Sequence, residues 1–435
     1  MEWWQLYALK PEINRLIVEA EKEVKAEHEA INAVSLFNQA KVLNAFQEEK
    51  ISDDCFYSSE GYGYNDRGRE KLDALFARVF KGEDALVRPH LVSGTHTLFT
   101  CLRGILRPGE RLLFATGRPY DTLWKAVGGK KAAEDGSQSS AGEGNLIDWG
   151  IPFFCLNMIE EKDAGSEQRR ILEKNLKEML QKPTSAVLIQ RSRGYNPFRP
   201  SLTVEDIANI IAKIRYYNPD VVILVDNCYG EFVEKEEPLE AGADLIAGSL
   251  IKNPGGGLAP TGGYVVGRKK YIKKISSAMT APGLGKELGA FVYSKRLFFQ
   301  GLFMAPHLTG EALKGAITLA RALEKAGYRV DPRPQEKRGD IVQMIHLKRR
   351  EELYNFCRAV QEFSPVNSHF VPIEGETPGY HDPIFMAAGT FVQGASSEFS
   401  ADAPLRRPYT LYLQGGLSYQ HIVLGIASIL KAILA

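Results

Sequence analysis

Between residues 85 and 267 short apolar runs recur at 85–88, 111–115, 151–155, 185–190, 221–225, 243–248 and 263–267. Most of the gaps between them carry helical patterns, notably at 95–106, 167–181 and 203–215. A strand buried on both faces reads as an unbroken apolar run, and a parallel neighbour needs a long crossover, usually a helix. The regularity therefore predicts an α/β fold: a mainly parallel, seven-stranded sheet with flanking helices.

The flanks are organised differently. Residues 4 to about 50 are helix-rich with no strand signal, and 69–80 place Leu72, Leu75, Phe76, Val79 and Phe80 on one helical face. The polar, glycine-rich stretch 128–145 predicts a mobile surface loop. After a mostly helical region, 268–327, expected strands at 341–347, 384–388 and 409–414 mix with helices at 350–363 and 418–434. We expect an N-terminal helical segment (1–60), a large α/β domain (61–327) and a smaller C-terminal α+β domain (328–435). A chain of 435 residues exceeds what one compact core organises, in keeping with that division.

Charge and cysteine usage exclude several function classes. With 54 Lys and Arg against 53 Asp and Glu, the formal net charge of +1 lacks the basic excess of a nucleic-acid binder. The cluster Lys269, Lys270, Lys273, Lys274 has the spacing of a solvated helix face. Five scattered cysteines, with no Cys-x-x-Cys, suit reduced thiols in a cytoplasm. The eight histidines have no metal-ligand spacing, so no metal site is expected. The N-terminus lacks the basic start of a signal peptide. The longest apolar candidate, Ile422 to Leu434, is interrupted by Ser428 and Lys431, so a terminal helix packed on the core is expected, and no membrane span.

Two residues carry the strongest chemical signal. Asp226 ends the apolar run Val-Val-Ile-Leu-Val-Asp, which puts an acid at the carboxyl end of a buried strand, where open parallel sheets bind ligands. Alone, it is equally compatible with a magnesium ligand or a helix cap. Lys252 follows a second apolar run and enters Asn-Pro-Gly-Gly-Gly, a turn expected to bring the backbone close to a ligand. A surface lysine in a turn is the bland alternative. An apolar lead-in should desolvate the amine, lower its pKa and leave it neutral, as imine formation requires. A lysine amine and a nearby carboxylate suit a Schiff base to pyridoxal phosphate, the carboxylate keeping the ring nitrogen protonated. Ser93-Gly94-Thr95-His96, ahead of a helix, reads as an anion site or an ordinary serine cap. Tyr120, after the run 111–115, could stack on a cofactor ring or be structural.

An anion loop, a strand-end aromatic, Asn196-Pro197, a strand-end Asp and a lysine follow one another along the chain. Fold-type I pyridoxal phosphate enzymes share this order. The chain resembles their Cys/Met-metabolism branch, most closely the methionine gamma-lyase-like or aluminium-resistance proteins (cystathionine beta-lyase-like). The motifs are Ser-Gly-Thr-His (93–96), Gly-Arg-Pro-Tyr-Asp-Thr-Leu (117–123), Gln-Arg-Ser-Arg-Gly-Tyr (190–195), Val-Asp-Asn-Cys-Tyr-Gly-Glu-Phe (225–232) and Gly-Ser-Leu-Ile-Lys-Asn-Pro-Gly-Gly (248–256).

The resemblance implies that Lys252 carries the cofactor and then acts as base at the substrate Cα. It implies that Asp226 pairs with the ring nitrogen and that Ser93, Gly94, Thr95 and Ser249 hold the phosphate. Tyr120 would stack on the ring and protonate a departing sulfur, and Asn196 would reach the ring 3′-oxygen. Tyr64 and Arg67 would serve the phosphate of a neighbouring subunit, making the protein a homo-oligomer, dimer or tetramer. Arg406 or Arg407 would clamp the carboxylate of a small amino-acid substrate. Three departures stand out: Ile251 where sulfur lyases place a phosphate-binding hydroxyl, and His96 and Arg193 without clear counterparts. The implied activity is a carbon–sulfur lyase acting by β- or γ-elimination on a sulfur-containing amino acid of the cystathionine, methionine or cysteine type. An aminotransferase, aldolase, decarboxylase or non-catalytic cofactor binder is the alternative.

Overall fold

The seven apolar runs form one sheet. Its strands are β1 (Asp84–Arg88), β2 (Arg111–Phe114), β3 (Phe153–Cys155), β4 (Thr184–Gln190), β5 (Val222–Asp226), β6 (Leu245–Ser249) and β7 (Gly263–Gly267), in the order β1-β7-β6-β5-β4-β2-β3. They belong to a computed structural model that describes residues 2–129, 144–159, 166–181, 184–378, 380 and 382–434. The pairs β2–β3, β2–β4, β4–β5 and β5–β6 are parallel, and β7 runs antiparallel to both β6 and β1. Most of the loop expected at 128–145 lies outside the described residues.

Unbroken apolar runs are explained by cover on both faces. Along β5, Ile223 and Val225 enter one hydrophobic cluster with Phe76, Ile207 and Phe299, while Val222 and Leu224 enter another with Leu98, Leu102 and Ile275. Because β2, β4, β5 and β6 are parallel, their carboxyl ends share one edge of the sheet. The segments after them and the N-terminus of the helix Gly94–Ile105 build the site there.

The C-terminal region is a five-stranded antiparallel sheet of β8 (Arg329–Asp331), β9 (Gln343–His346), β10 (Ile384–Ala387), β11 (Ser400–Pro404) and β12 (Thr410–Gln414), ordered β10-β11-β12-β9-β8. Two of these strands were not expected. β8 spans only three residues, and β11 reads Ser-Ala-Asp-Ala-Pro, too polar and small to signal a strand; both exist because neighbours pair with them. The helices Arg350–Glu362 and Tyr419–Leu434 share a core with this sheet, joined by Ile13, Ile17 and Ala20 of the helix Pro11–Glu23. Among the described residues no helix is long and apolar enough to cross a membrane. Lys269, Lys270, Lys273 and Lys274 lie on an exposed helix face, as their spacing predicts.

The glycine turn after Lys252 packs tightly against a helix. Gly256 has φ +53°, and a Cβ there would lie 2.1 Å from the Gly301 carbonyl oxygen; a Cβ on Gly301 would lie 2.2 Å from the Gly255 oxygen. These glycines let the turn press its backbone against the helix Arg296–Lys325. They set the turn that follows Lys252.

Candidate active site

Asp226 closes β5 and is buried, and its Oδ1 accepts a hydrogen bond from the Cys228 amide at 3.2 Å. Burial pushes its carboxyl above the ordinary value, against the pull of Lys252. Lys252 follows β6 in a half-buried position, its Nζ 3.8 Å from the centroid of the Tyr229 ring. Burial draws its amine down, as anticipated. The surrounding acidic groups Cys228, Tyr229, Asp226 and Tyr120 outweigh that pull and hold it well above the usual lysine value. The expected lowering of the amine is thus corrected in direction: the ionisable groups around it, Cys228 and Tyr229 ahead of Asp226, raise it against the pull of burial.

The anion loop and the sheet edge converge. Ser93 Oγ caps the helix Gly94–Ile105 by accepting from the His96 amide at 3.1 Å, so its hydroxyl is a cap and stands at a helix N-terminus at once. A Cβ on Gly94 would lie 3.4 Å from Cys228 Sγ and 3.6 Å from Ser249 Cβ, so the 93–95 turn, Cys228 and Ser249 meet at one place. Thr95 Oγ1 is 2.7 Å from Thr122 Oγ1 and 3.2 Å from Tyr120 Oη. Ser249 Oγ accepts from the Ile251 amide at 3.3 Å, so Ile251 takes part through its backbone. Burial raises the Tyr120 phenol well above its usual value, with Asp226 adding to the shift, and keeps it protonated.

Of these groups Tyr120 lines a cleft of about 290 Å³, together with Asn196, Tyr195, Arg193 and both Arg406 and Arg407; Lys252, Asp226, Ser93 and Ser249 are not among its lining residues. Asn196 Oδ1 accepts from the Phe198 amide at 2.9 Å. Arg406 pairs with Asp121 at 3.3 Å and Asp382 at 3.2 Å and donates to the Tyr195 carbonyl at 2.7 Å. Arg407 is exposed, with its guanidinium 5.8 Å from the Tyr409 ring centroid. Arg193 is buried against Asp331 at 2.8 Å. His96 Nδ1 accepts from the Val92 amide at 3.2 Å. Tyr64 and Arg67 line no part of this cleft: Tyr64 is exposed beside Tyr62, and Arg67 pairs with Asp54 at 2.6 Å. Among the described residues no group of three or more His, Cys, Asp or Glu is placed to hold a metal ion.

Sequence reasoning missed Tyr229, Cys228, Tyr195 and Asp402. Tyr195 Oη donates to Asp402 Oδ2 at 2.7 Å, and Tyr229 Oη donates to Ser396 Oγ at 3.0 Å, which ties the C-terminal sheet to the site. Tyr229 and Cys228 could have been found by their closeness to Asp226. Asp402 had no local signal, since its partner Tyr195 is distant in sequence. Chemically, the arrangement joins an amine able to form an imine, a buried carboxylate suited to a cationic N–H, and an anion-accepting helix end.

A family profile described as methionine gamma-lyase matches residues 13–434. The uncharacterized protein YnbB of Bacillus subtilis (strain 168) is 43% identical over 422 residues, covering 97% of this chain and 96% of that one. The solved structure of a carbon–sulfur lyase involved in aluminum resistance from Clostridium novyi is 42% identical, with a TM-score of 0.89 over 99% of this chain and 97% of the other. A pyridoxal-5′-phosphate-dependent Escherichia coli protein, YhfS, shares the fold at 16% identity, with a TM-score of 0.60 over 93% of this chain and 97% of the other.

Proposed function

This chain belongs to the methionine gamma-lyase family, and on that footing we propose that it is a pyridoxal phosphate-dependent carbon–sulfur lyase. Its substrate is a sulfur-containing amino acid of the cystathionine, methionine or cysteine type, cleaved by β- or γ-elimination. The observation that supports this reading is that Asp226 ends β5 and Lys252 follows β6, its parallel neighbour, so that both stand at the carboxyl edge of the sheet.

The residues fit the cofactor. Asp226 is a buried carboxylate whose ionised form gains from a cationic ring N–H. Ser93, Gly94, Thr95 and Ser249 stand where a phosphate would meet a helix N-terminus. Lys252 would hold the aldehyde carbon, Tyr120 a ring face and Asn196 the 3′-oxygen. When bound, pyridoxal phosphate supplies an electron-poor ring that stabilises negative charge at the substrate Cα.

Lys252 Nζ takes the Cα proton. Tyr120 Oη, kept protonated by burial, gives its proton to sulfur as the C–S bond breaks, releasing a thiol. Arg406, already directed into the cleft, exchanges Asp121 for the substrate carboxylate. Tyr64 and Arg67, exposed on one protomer, serve the phosphate of a second copy, so the active unit is at least a dimer.

The purified protein should be yellow with added cofactor, its visible band removed by borohydride and abolished in Lys252→Ala. Cystathionine, cysteine or methionine should then yield α-keto acid, ammonia and thiol. A protein that stays colourless with cofactor overturns the assignment. Transfer to an amino acceptor without thiol release overturns the lyase.

A further inference from the structure

Five arginines line the cleft, Arg118, Arg193, Arg199, Arg406 and Arg407, and Asp121 is the one acid among the lining residues. Three of the five have carboxylate partners: Arg118 has Asp121 at 3.3 Å, Arg193 has Asp331 at 2.8 Å, and Arg406 has Asp121 and Asp382. Arg199 and Arg407 pair with no carboxylate among the described residues. Arg407 is exposed and can reorient. Arg199 is different, being 6% exposed, with the Arg118 carbonyl as its hydrogen-bond acceptor.

The position of Arg199 is built in. Its Nη2 would lie 3.6 Å from a Cβ on Gly117, a residue with φ +76°, beside the Asn157 side chain. Burial lowers the guanidinium to about 10, opposed by the Cys155 thiol and by no carboxylate. A cation buried without a counter-ion is unfavourable, and one that lines an open cleft can take its counter-ion from a ligand.

We propose that Arg199, assisted by Arg407, binds a second carboxylate, carried by the substrate on the far side of its sulfur. This deepens the lyase reading and rests on it. Arg406 holds the amino-acid carboxylate, Lys252 and Tyr120 face the reacting carbons and sulfur, and Arg199 reads the end of the leaving fragment. The favoured substrate class is a thioether amino acid with carboxylates at both ends. Methionine and other S-alkyl substrates leave Arg199 uncompensated, which is a basis for discrimination.

The test compares S-(2-carboxyethyl)cysteine with S-propylcysteine, which match in length and differ in the terminal charge, on the cofactor-loaded enzyme. The wild type should favour the carboxylated substrate at least tenfold in kcat/KM, expressed mainly in KM. Arg199→Met should collapse that ratio toward one. Arg407→Ala, at an exposed position, should reduce it severalfold and reads the same ratio if Arg199→Met does not fold. Calorimetry with glutarate and butyrate gives a readout independent of turnover: glutarate should bind at least tenfold more tightly, and Arg199→Met should remove the difference. Equal use of both substrates by the wild type, or a preference that survives both variants, overturns the proposal. So does a loss of cofactor affinity in Arg199→Met, which would assign the arginine to the cofactor phosphate. If neither thioether is cleaved but the glutarate preference depends on Arg199, the lyase reading fails and the dicarboxylate site stands.

Discussion

Lys252 Nζ lies 3.8 Å from the centroid of the Tyr229 ring, and the Tyr229 hydroxyl in turn bonds Ser396, ahead of β11. One tyrosine therefore meets the Lys252 amine with its ring face and anchors the C-terminal region through its hydroxyl. Cation–π contacts of this kind are worth about 0.5–2 kcal/mol. Tyr229→Leu should weaken cofactor binding by roughly three- to thirtyfold, while Tyr229→Phe, which keeps the ring, should stay near wild type. Absorbance titration with pyridoxal phosphate measures both.

Asp226→Asn retains the shape of the site and removes its central charge. Turnover should fall on the order of 10²–10³-fold, as when a preorganised electrostatic partner is lost. The same change removes one of the groups that raise the Lys252 amine, so its pKa should fall. Labelling of Lys252 by an amine-reactive reagent in the cofactor-free protein should then begin at lower pH than in the wild type. An unchanged labelling profile would show that Asp226 does not set the charge on Lys252.

Glu231 is buried, accepts from the Tyr264 hydroxyl at 2.6 Å, and is pushed up by burial to about 8. An unfolded chain releases this proton near the ordinary glutamate value and the folded one holds it to a higher pH. The contribution to stability is complete below about pH 4.5 and is lost as pH rises through about 8. Glu231→Gln cannot ionise. Relative to wild type it should gain a few kcal/mol between pH 5 and pH 8, read from urea unfolding at the two pH values. A constant difference between the two proteins would refute the shift.

Gly301→Ala forces a Cβ to within 2.2 Å of the Gly255 oxygen, where two backbones already touch. Overpacking of this kind should cost about 2–4 kcal/mol and displace the turn behind Lys252, so that stability and cofactor affinity fall together. Gly375→Ala is the control, since a Cβ there meets nothing within 4 Å. It should leave Tm and the visible band unchanged.

Arg67→Ala and Lys252→Ala should each be inactive as pure proteins if one copy completes the phosphate site of the next. Mixed and reassembled, they should recover activity in up to about a quarter of the sites, because half of the statistical dimers hold one intact site. No recovery on mixing would place Arg67 outside the partner's site.

The central sheet was legible in the sequence because its strands are covered on both faces. Cover of that kind demands unbroken apolar runs, and those of β5 and β6 end at Asp226 and just ahead of Lys252. β8 and β11 were not legible, since pairing with neighbouring strands creates them and three residues or Ser-Ala-Asp-Ala-Pro carry no pattern of their own.

What the sequence by itself determined was the sheet, the edge at which the candidate site lies and the chain positions of Lys252, Asp226 and the Ser93–Thr95 turn, because periodicity and strand-end placement are local properties. The tertiary structure alone decided three things. The Lys252 amine is raised against the pull of its burial by ionisable groups brought together from several elements. The glycines behind it serve the helix Arg296–Lys325. Asp402 and Arg199 belong to the site or its cleft, because contacts between segments distant along the chain depend on how those segments pack and leave no mark in either one.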